Sequence, residues 1–169
     1  ESVAVPEGDA TLLRQGIYQP FDRDREAGLR LRSLLGIPDD AGGDLNVGHG
    51  DLRKGVDIFC QVAHLCHERG LNLHFVWAGS VHPALHSWLV ADLERKDVTN
   101  LHFLGERTDI ADIMNAADVL FLTSREDPFP SVILEAMQVG LPFVAFEGNG
   151  GFVDLAEEFP FVGSLIPQA

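Results

Sequence analysis

Short apolar runs alternate with stretches of helical periodicity along most of the 169-residue chain. The apolar runs predict strands over residues 44–47, 71–78, 100–104, 119–123 and 142–146, with a sixth candidate over 161–166, and the periodic stretches predict helices over 22–35, 53–69, 83–95, 109–116, 131–139 and 152–158. Near-continuous apolar strands are typical of a parallel sheet that is buried on both faces. We therefore predict an α/β fold, a Rossmann-like parallel sheet with helices on both faces.

The beginning of the chain differs from the rest. Residues 1–20 contain two prolines and two glycines and show little periodicity, which is typical of a linker. The first predicted helix follows, with Asp22 as its N-cap and Gly36 just after its end. We expect one domain over residues 21–169, and the linker-like start with a stop directly after a strand suggests a piece of a longer protein.

Trp77 and Trp88 are both expected to pack in the core.

The most informative segment follows the fourth predicted strand. It reads Ser-Arg-Glu-Asp-Pro-Phe-Pro over residues 124–130 and then continues into the fifth predicted helix. Asp127 lies in this loop, and Glu135 lies inside the helix on the same face as Ser131. In such folds ligands bind at the carboxyl ends of strands, where a helix N-terminus attracts phosphate and carboxylates accept hydrogen bonds from sugar hydroxyls. Phosphate and sugar together predict a nucleotide sugar as the ligand.

Two further loops carry glycines. Residues 48–55 read Gly-His-Gly-Asp-Leu-Arg-Lys-Gly, and Arg53 and Lys54 in this loop can reach a phosphate. The loop matches neither a Walker A motif nor the dinucleotide fingerprint, and a tight turn with solvated charges is the alternative interpretation. Residues 147–151 read Glu-Gly-Asn-Gly-Gly, which predicts a close approach to a phosphate or a sugar, with a flexible connection as the alternative.

Charge and composition narrow the class of partner. The net charge is −14, and residues 97–169 hold 12 Asp or Glu against 2 Lys or Arg, which argues against nucleic acid and anionic membranes as partners. No apolar run is long enough to span a bilayer, and two unpaired cysteines, Cys60 and Cys66, indicate a reducing compartment. Cys60, His64 and His67 follow helical spacing, but zinc needs three or four convergent ligands, so no metal site is expected.

Five segments match a known pattern in their order and spacing. They are Gly48 followed by Lys54-Gly55, Phe-Val-Trp-Ala-Gly at 75–79, Asn-Leu-His-Phe-Leu-Gly at 100–105, Ala-Asp-Val-Leu-Phe-Leu-Thr-Ser at 117–124, and Asp-Pro-Phe-Pro-Ser-Val-Ile-Leu-Glu-Ala-Met at 127–137. Together they resemble the C-terminal, donor-binding half of a GT-B glycosyltransferase, most closely the large retaining family 4. The resemblance covers roughly residues 11–169.

The resemblance implies the candidate catalytic residues. The family's two acids, eight residues apart, fall on Asp127, which would face the donor sugar, and on Glu135, which would bind the ribose hydroxyls. Lys54 matches the family's phosphate-binding lysine and is the second candidate catalytic residue. Asp127 is one methylene shorter than the usual Glu, which would alter the sugar preference.

The resemblance also implies the residues around the nucleotide. Backbone N–H groups near Phe129, Ser131 and Val132 would hold the diphosphate, and the nucleobase and ribose would be flanked by Gly79, Leu104 and Gly105. His49 stands where the family has a phosphate-binding Arg, and Arg53 is the candidate replacement. The implied donor is a UDP-, GDP- or ADP-sugar, used with retention and without a cofactor or metal, because cations and the helix dipole would stabilise the leaving diphosphate.

In this family the acceptor site belongs to an N-terminal domain, and a final segment completes the C-terminal domain; neither is expected in this chain. The resemblance therefore implies an inactive fragment of a cytoplasmic, or peripherally membrane-bound, hexosyltransferase that acts on a glycan or lipid acceptor in polysaccharide biosynthesis. The alternatives are a nucleotide-sugar epimerase or phosphorylase and a non-catalytic nucleotide-binding module, since one fold hosts many functions.

Overall fold

The computed structural model describes residue 16, residues 19–148 and residues 150–167. The elements in chain order are α1 (Arg25–Leu35), β1 (Gly42–Val47), α2 (Val56–Glu68), β2 (Leu73–Ala78), α3 (Pro83–Arg95), β3 (Leu101–Gly105), α4 (Ile110–Ala116), β4 (Val119–Leu122), α5 (Ser131–Gln138), β5 (Phe143–Phe146), α6 (Val153–Glu158) and β6 (Gly163–Ile166). Each predicted helix and strand is confirmed with its ends moved by at most three residues. Most of the predicted linker over 1–20 lies outside the described residues.

Within the described residues, six parallel strands form one sheet in the order β3-β2-β1-β4-β5-β6. The candidate strand over 161–166 is confirmed as the edge strand β6, which pairs with β5. The chain runs outward from β1 in one direction and then returns to start β4 on the other side of β1. This reversal between β1 and β4 opens a crevice at their carboxyl ends, which is where ligands bind in such sheets.

Helices cover both faces of the sheet, as predicted. On one face α2 and α3 bury Phe59, Leu89 and Leu93 against Phe75 and Trp77 of β2. On the other face α1, α4, α5 and α6 pack against the opposite side chains of the strands, which include Leu45, Val76 and Leu120. Trp77 is fully buried as predicted, but the prediction for Trp88 is wrong: it is 61% exposed. Leu89 and Leu93 form the buried face of α3. Trp88 precedes Leu89 by about 100° around the helix, and its side chain therefore lies off the buried face and in solvent.

The start of α1 corrects one sequence prediction. Asp24, not Asp22, is the N-cap, and its carboxylate accepts a hydrogen bond from the Ala27 N–H at 3.0 Å. The backbone before the helix is held by Asn115 of α4, which accepts from the Asp24 N–H and donates to the Asp22 carbonyl, each at 2.9 Å. The N-cap therefore lies two residues later than the sequence pattern predicts, and the helix ends as predicted at Gly36 in the left-handed conformation, with φ +69°.

A cavity of about 380 Å³ lies at the opposite end of the sheet from the crevice, before β4 and β5. Arg32 is buried beside it and donates to the carbonyls of Pro38 at 3.1 Å and Ala116 at 3.0 Å. This guanidinium satisfies backbone carbonyls where α1 meets α4, so its role is structural. The crevice at the carboxyl ends of β1 and β4 is distinguished from this cavity by its ion pair between Lys54 and Asp127.

Candidate functional site

The two candidate catalytic residues meet in the crevice. The Lys54 ammonium group forms an ion pair with the Asp127 carboxylate, and their side chains are only 16% and 8% exposed. These residues lie 73 positions apart in sequence, in the loops that follow β1 and β4. Because β1 and β4 are neighbours in the sheet, the strand order brings the cation and the acid together.

The backbone around Lys54 is fixed by the strand end of β4. Gly55 has φ +71°, and a Cβ atom there would lie 1.9 Å from the Thr123 carbonyl oxygen, so only glycine fits. The Thr123 hydroxyl donates to the Gly55 carbonyl at 2.9 Å and accepts from the buried Asn46 amide at 3.2 Å. The Lys54 N–H donates to the Asp51 carboxylate at 2.7 Å. Lys54 therefore enters the crevice from a rigid turn.

The glycines of the 147–151 loop hold the loop of Asp127. Gly150 pairs with Asp127 in a parallel bridge, and a Cβ atom on Gly150 would lie 2.1 Å from the Asp127 carbonyl oxygen. The Gly151 N–H donates to the Pro128 carbonyl at 2.7 Å. Gly150 and Gly151 thus lie directly against the protein's own backbone at Asp127 and Pro128, and the predicted approach of this loop to a phosphate or a sugar stays a prediction.

The N-terminus of α5 faces the same loop. Pro130 occupies the N-cap position and provides no side-chain cap, so the first backbone N–H groups at Ser131 and Val132 remain without a capping oxygen. The Val132 side chain is buried, which leaves only its backbone for a ligand. Glu135 follows one turn later and is half-buried, and this burial raises the pKa of its carboxyl above the ordinary value. Phe129 packs against the apolar cluster under the loop.

The turn after β2 lies against the loop after β1. A Cβ atom on Gly79, which has φ +138°, would lie 2.0 Å from the Gly48 carbonyl oxygen, so this crossing also requires glycine. His49 is exposed, and its Nδ1 atom lies 3.0 Å from the Ser80 hydroxyl. The structure thus places His49 at the rim of the crevice, one strand away from Asp127.

The end of β3 completes the row of strand ends. The Gly79 N–H donates to the Gly105 carbonyl at 2.8 Å. Gly105 has φ +66°, and open space surrounds the position that its Cβ atom would occupy. Leu104 is partly buried against the core. These residues form an open ledge beside the crevice, which is where the resemblance located the nucleobase and ribose.

The ion pair between Arg125 and Asp57 was missed by the sequence reasoning. Arg125 donates two hydrogen bonds to the carboxylate of Asp57, each at 2.8 Å, and links the loop after β4 to the first turn of α2. Arg53, which is expected to reach a phosphate, donates from one guanidinium nitrogen to the Glu126 carbonyl at 3.0 Å. An arginine inside the motif loop was visible in the sequence, but its partner 68 residues away was not.

The described residues contain no group of three or more His, Cys, Asp or Glu side chains that could hold a metal ion. Cys60 is a free, buried thiol whose pKa burial raises to about 12, in agreement with a packing role. In the part of the chain that the structure describes, no helix has the length and apolar character needed to cross a membrane.

The strand order, the helices on both faces and the charged crevice between β1 and β4 define a Rossmann-like domain of the GT-B glycosyltransferase class. The family model described as glycosyl transferases group 1 matches residues 45–167. The chain therefore belongs to this family.

Known proteins agree with this assignment. The chain is similar to an uncharacterized glycosyltransferase of Haemophilus influenzae, with 30% identity over 67% of this chain and 32% of the relative. It is also similar to a D-inositol 3-phosphate glycosyltransferase of Xylanimonas cellulosilytica, with 33% identity over 78% of this chain and 32% of the relative. The Anabaena protein HepE, whose structure was solved in complex with UDP-glucose, superposes with a TM-score of 0.76 at 25% identity over 88% of this chain and 41% of that protein.

The chain spans about a third of the length of these curated relatives and about two fifths of HepE. The similarity therefore concerns only a part of each of these larger proteins.

Proposed function

We propose that this chain forms the donor-binding half of a retaining glycosyltransferase, which transfers a hexose from a nucleoside diphosphate sugar to a glycan or lipid acceptor. One observation carries the proposal: a buried lysine and a buried carboxylate meet at the switch point of the sheet, beside the uncapped N-terminus of α5. A cation and a helix N-terminus bind the diphosphate of a nucleotide sugar, and a carboxylate accepts hydrogen bonds from its sugar hydroxyls.

The diphosphate binds to Lys54 and to the first N–H groups of α5. Transfer breaks the bond between the anomeric carbon and the diphosphate oxygen, forms a bond from the same carbon to a hydroxyl oxygen of the acceptor, and passes the hydroxyl proton to the leaving diphosphate. The negative charge that develops on the leaving oxygen is stabilised by the ammonium group and the helix dipole. No metal is required for this step in our proposal. His49 at the rim and the neighbouring Arg53 are the further cationic candidates for the diphosphate.

The sugar and the nucleoside bind on either side of the diphosphate. Asp127 accepts hydrogen bonds from the donor sugar, and Glu135 accepts from the ribose hydroxyls one helical turn further along α5. The ledge formed by Gly79, Leu104 and Gly105 receives the nucleobase. The likeness to HepE in complex with UDP-glucose supports UDP as the first nucleotide to test.

The proposal predicts binding without turnover for this chain alone, because the acceptor site of the proposed enzyme belongs to another domain. Calorimetric titration with UDP, UDP-glucose, a GDP-sugar and an ADP-sugar identifies the donor, and Lys54→Ala serves as the variant that must lose affinity. Absence of binding by all four ligands contradicts the proposed site. Glycosyl transfer by this chain on its own contradicts the proposal that the acceptor site belongs to another domain.

The same titration separates the alternatives. A non-catalytic nucleotide-binding module binds UDP as tightly as UDP-glucose, and Asp127 is dispensable in the full-length protein. An epimerase releases an altered sugar without any acceptor. A glycosyltransferase distinguishes UDP-glucose from UDP through Asp127 and requires an acceptor for turnover.

A further inference from the structure

The loop that carries Lys54 and the loop that carries Asp127 are joined by a second ion pair. The Arg125 guanidinium binds both carboxylate oxygens of Asp57 at 2.8 Å and also donates to the Leu52 carbonyl at 2.6 Å. The Arg125 N–H donates to the Arg53 carbonyl at 2.8 Å. One residue thus makes four hydrogen bonds from the loop after β4 to the segment around Lys54.

The geometry of this pair suits a positioning role. Arg125 precedes Asp127 by two residues, and Asp57 follows Lys54 by three, so the two ion pairs connect the same two loops side by side. A bidentate arginine–carboxylate contact constrains both distance and orientation, which a single lysine contact does not. The Arg125 side chain is 47% exposed, whereas Asp57 is only 14% exposed, so the guanidinium side of the pair faces solvent and the carboxylate side is largely enclosed.

Asp57 is well suited to anchor the pair. It lies in the first turn of α2, where the helix dipole favours a negative charge. Burial alone would raise the pKa of its carboxyl, yet the hydrogen bonds and charge of Arg125, with backbone N–H groups, hold that pKa below the ordinary value. The carboxylate therefore stays charged throughout the neutral pH range and holds Arg125 in place.

We propose that the Arg125–Asp57 pair is a positioning device that holds Lys54 at the distance from Asp127 at which it can receive the donor diphosphate. The inference rests on the proposed function for its nucleotide readout. It assigns to Arg125 no contact with the donor: Arg125 acts through Lys54.

The first test needs no nucleotide. The chain contains only two lysines, Lys54 and Lys96, so reductive methylation with ¹³C-formaldehyde gives two side-chain NMR signals. Arg125→Leu should move the Lys54 signal toward the position that it takes in Asp127→Asn, while the Lys96 signal stays. If a folded Arg125→Leu chain keeps the Lys54 signal at its wild-type position, the inference is overturned.

A matched control uses the ion pair on α3. Arg95 contacts Asp92, which also receives a bond from Lys96, and none of these residues adjoins the crevice. Arg95→Leu removes the same type of side chain and should move only the Lys96 signal. Arg125→Gln adds no third lysine and keeps a hydrogen-bond donor without the bidentate contact, so it serves where Arg125→Leu folds poorly; it should move the Lys54 signal in the same direction.

The second test asks whether Arg125 acts through Lys54. UDP affinity is measured by calorimetry for wild type, Arg125→Leu, Lys54→Ala and the double variant. Arg125→Leu should weaken binding about five- to ten-fold in the wild-type background and less than two-fold in the Lys54→Ala background, because coupled residues are not additive. An equal loss in both backgrounds would mean that Arg125 contacts the nucleotide itself or maintains the whole fold, and it would overturn the inference.

The two tests also separate this inference from the proposed function. If Lys54→Ala binds UDP as tightly as wild type, the proposed phosphate site is wrong. The NMR result then still decides whether the Arg125–Asp57 pair positions Lys54, because that measurement is made on the ligand-free chain.

Discussion

The ion pair between Lys54 and Asp127 leads to an unusual prediction for Asp127→Asn. In the free chain the ammonium group is already neutralised by a carboxylate, and both side chains are largely buried. A donor diphosphate must therefore compete with Asp127 for Lys54, and the Asp127 carboxylate also repels it. Asparagine keeps the shape of the side chain and removes both obstacles. We expect Asp127→Asn to bind free UDP more tightly than wild type.

The magnitude follows from the strength of one charge-assisted hydrogen bond, roughly 1.5–3 kcal/mol. The diphosphate forms this bond with Lys54 in either chain, but only wild type must first give up the bond to Asp127. Asparagine retains a weaker, neutral acceptor, so we take the lower end, about 1.5 kcal/mol. Since each 1.4 kcal/mol is a factor of about ten in affinity, UDP should bind roughly ten-fold more tightly.

Stability should move in the opposite direction. Removing one partner of a buried ion pair leaves the other charge uncompensated, which costs about 3–5 kcal/mol when burial is complete. Lys54 retains 16% exposure, so we expect a loss of about 3 kcal/mol in the free energy of unfolding. Urea unfolding of the ligand-free variant measures this loss. Weaker folding together with tighter UDP binding is the signature of a charge that competes with the ligand.

The control is Glu126→Gln, which removes the same charge one residue earlier at an exposed position. Glu126 acts on UDP only through a long-range interaction that salt screens, so Glu126→Gln should change the affinity for UDP by less than about two-fold. The affinity for UDP-glucose should rise less than the affinity for UDP in Asp127→Asn, since the proposed contact between Asp127 and the sugar is lost. If calorimetry finds UDP bound equally or more weakly by Asp127→Asn, the competition argument is refuted.

Three further substitutions test other parts of the site and the fold. Glu135→Gln should weaken UDP binding by roughly 1.5–3 kcal/mol in calorimetry, because a charge-assisted pair of bonds to the ribose is lost. His49→Arg should bind UDP-glucose more tightly than wild type in calorimetry, because a guanidinium forms a bidentate, charge-assisted contact with a phosphate that an imidazole cannot form. Asp44→Asn should raise the free energy of unfolding at pH 7 by about 1–3 kcal/mol, because burial and the charge of Asp118 raise the pKa of Asp44 from 3.8 to about 6.

Each of these has a distinct control. A 2′,3′-dideoxy nucleotide should not distinguish Glu135→Gln from wild type; if it does, Glu135 does not act on the ribose. Equal affinities of His49→Arg and wild type for UDP-glucose would show that the side chain at position 49 does not touch the diphosphate. For Asp44 the folded chain holds its proton more tightly than the unfolded chain, so stability is lost as pH rises from about 4 to 6. The benefit of Asp44→Asn should therefore vanish below about pH 4, and urea unfolding that shows it undiminished there contradicts the burial argument.

The sequence by itself determined the elements and the fold class. Near-continuous apolar runs such as 119–123 are typical of a strand that is buried on both faces, and the stripe of Val132, Ile133 and Ala136 predicted α5 and its buried face. The candidate residues were also found in the sequence, since Lys54 and Asp127 lie in loops that follow predicted strands and Glu135 lies in the helix after the second loop. These features are local, because each depends on periodicities of two to about four residues.

Only the tertiary structure decided which residues meet. The Lys54–Asp127 and Arg125–Asp57 pairs join residues 73 and 68 positions apart, and nothing in local periodicity states that β1 and β4 are neighbours. The same holds for Gly150, whose missing side chain makes room for the Asp127 backbone. The start of α1 moved to Asp24 because Asn115 of a distant helix holds the preceding backbone. Contacts between distant segments depend on strand order and close packing, and these are properties of the whole domain.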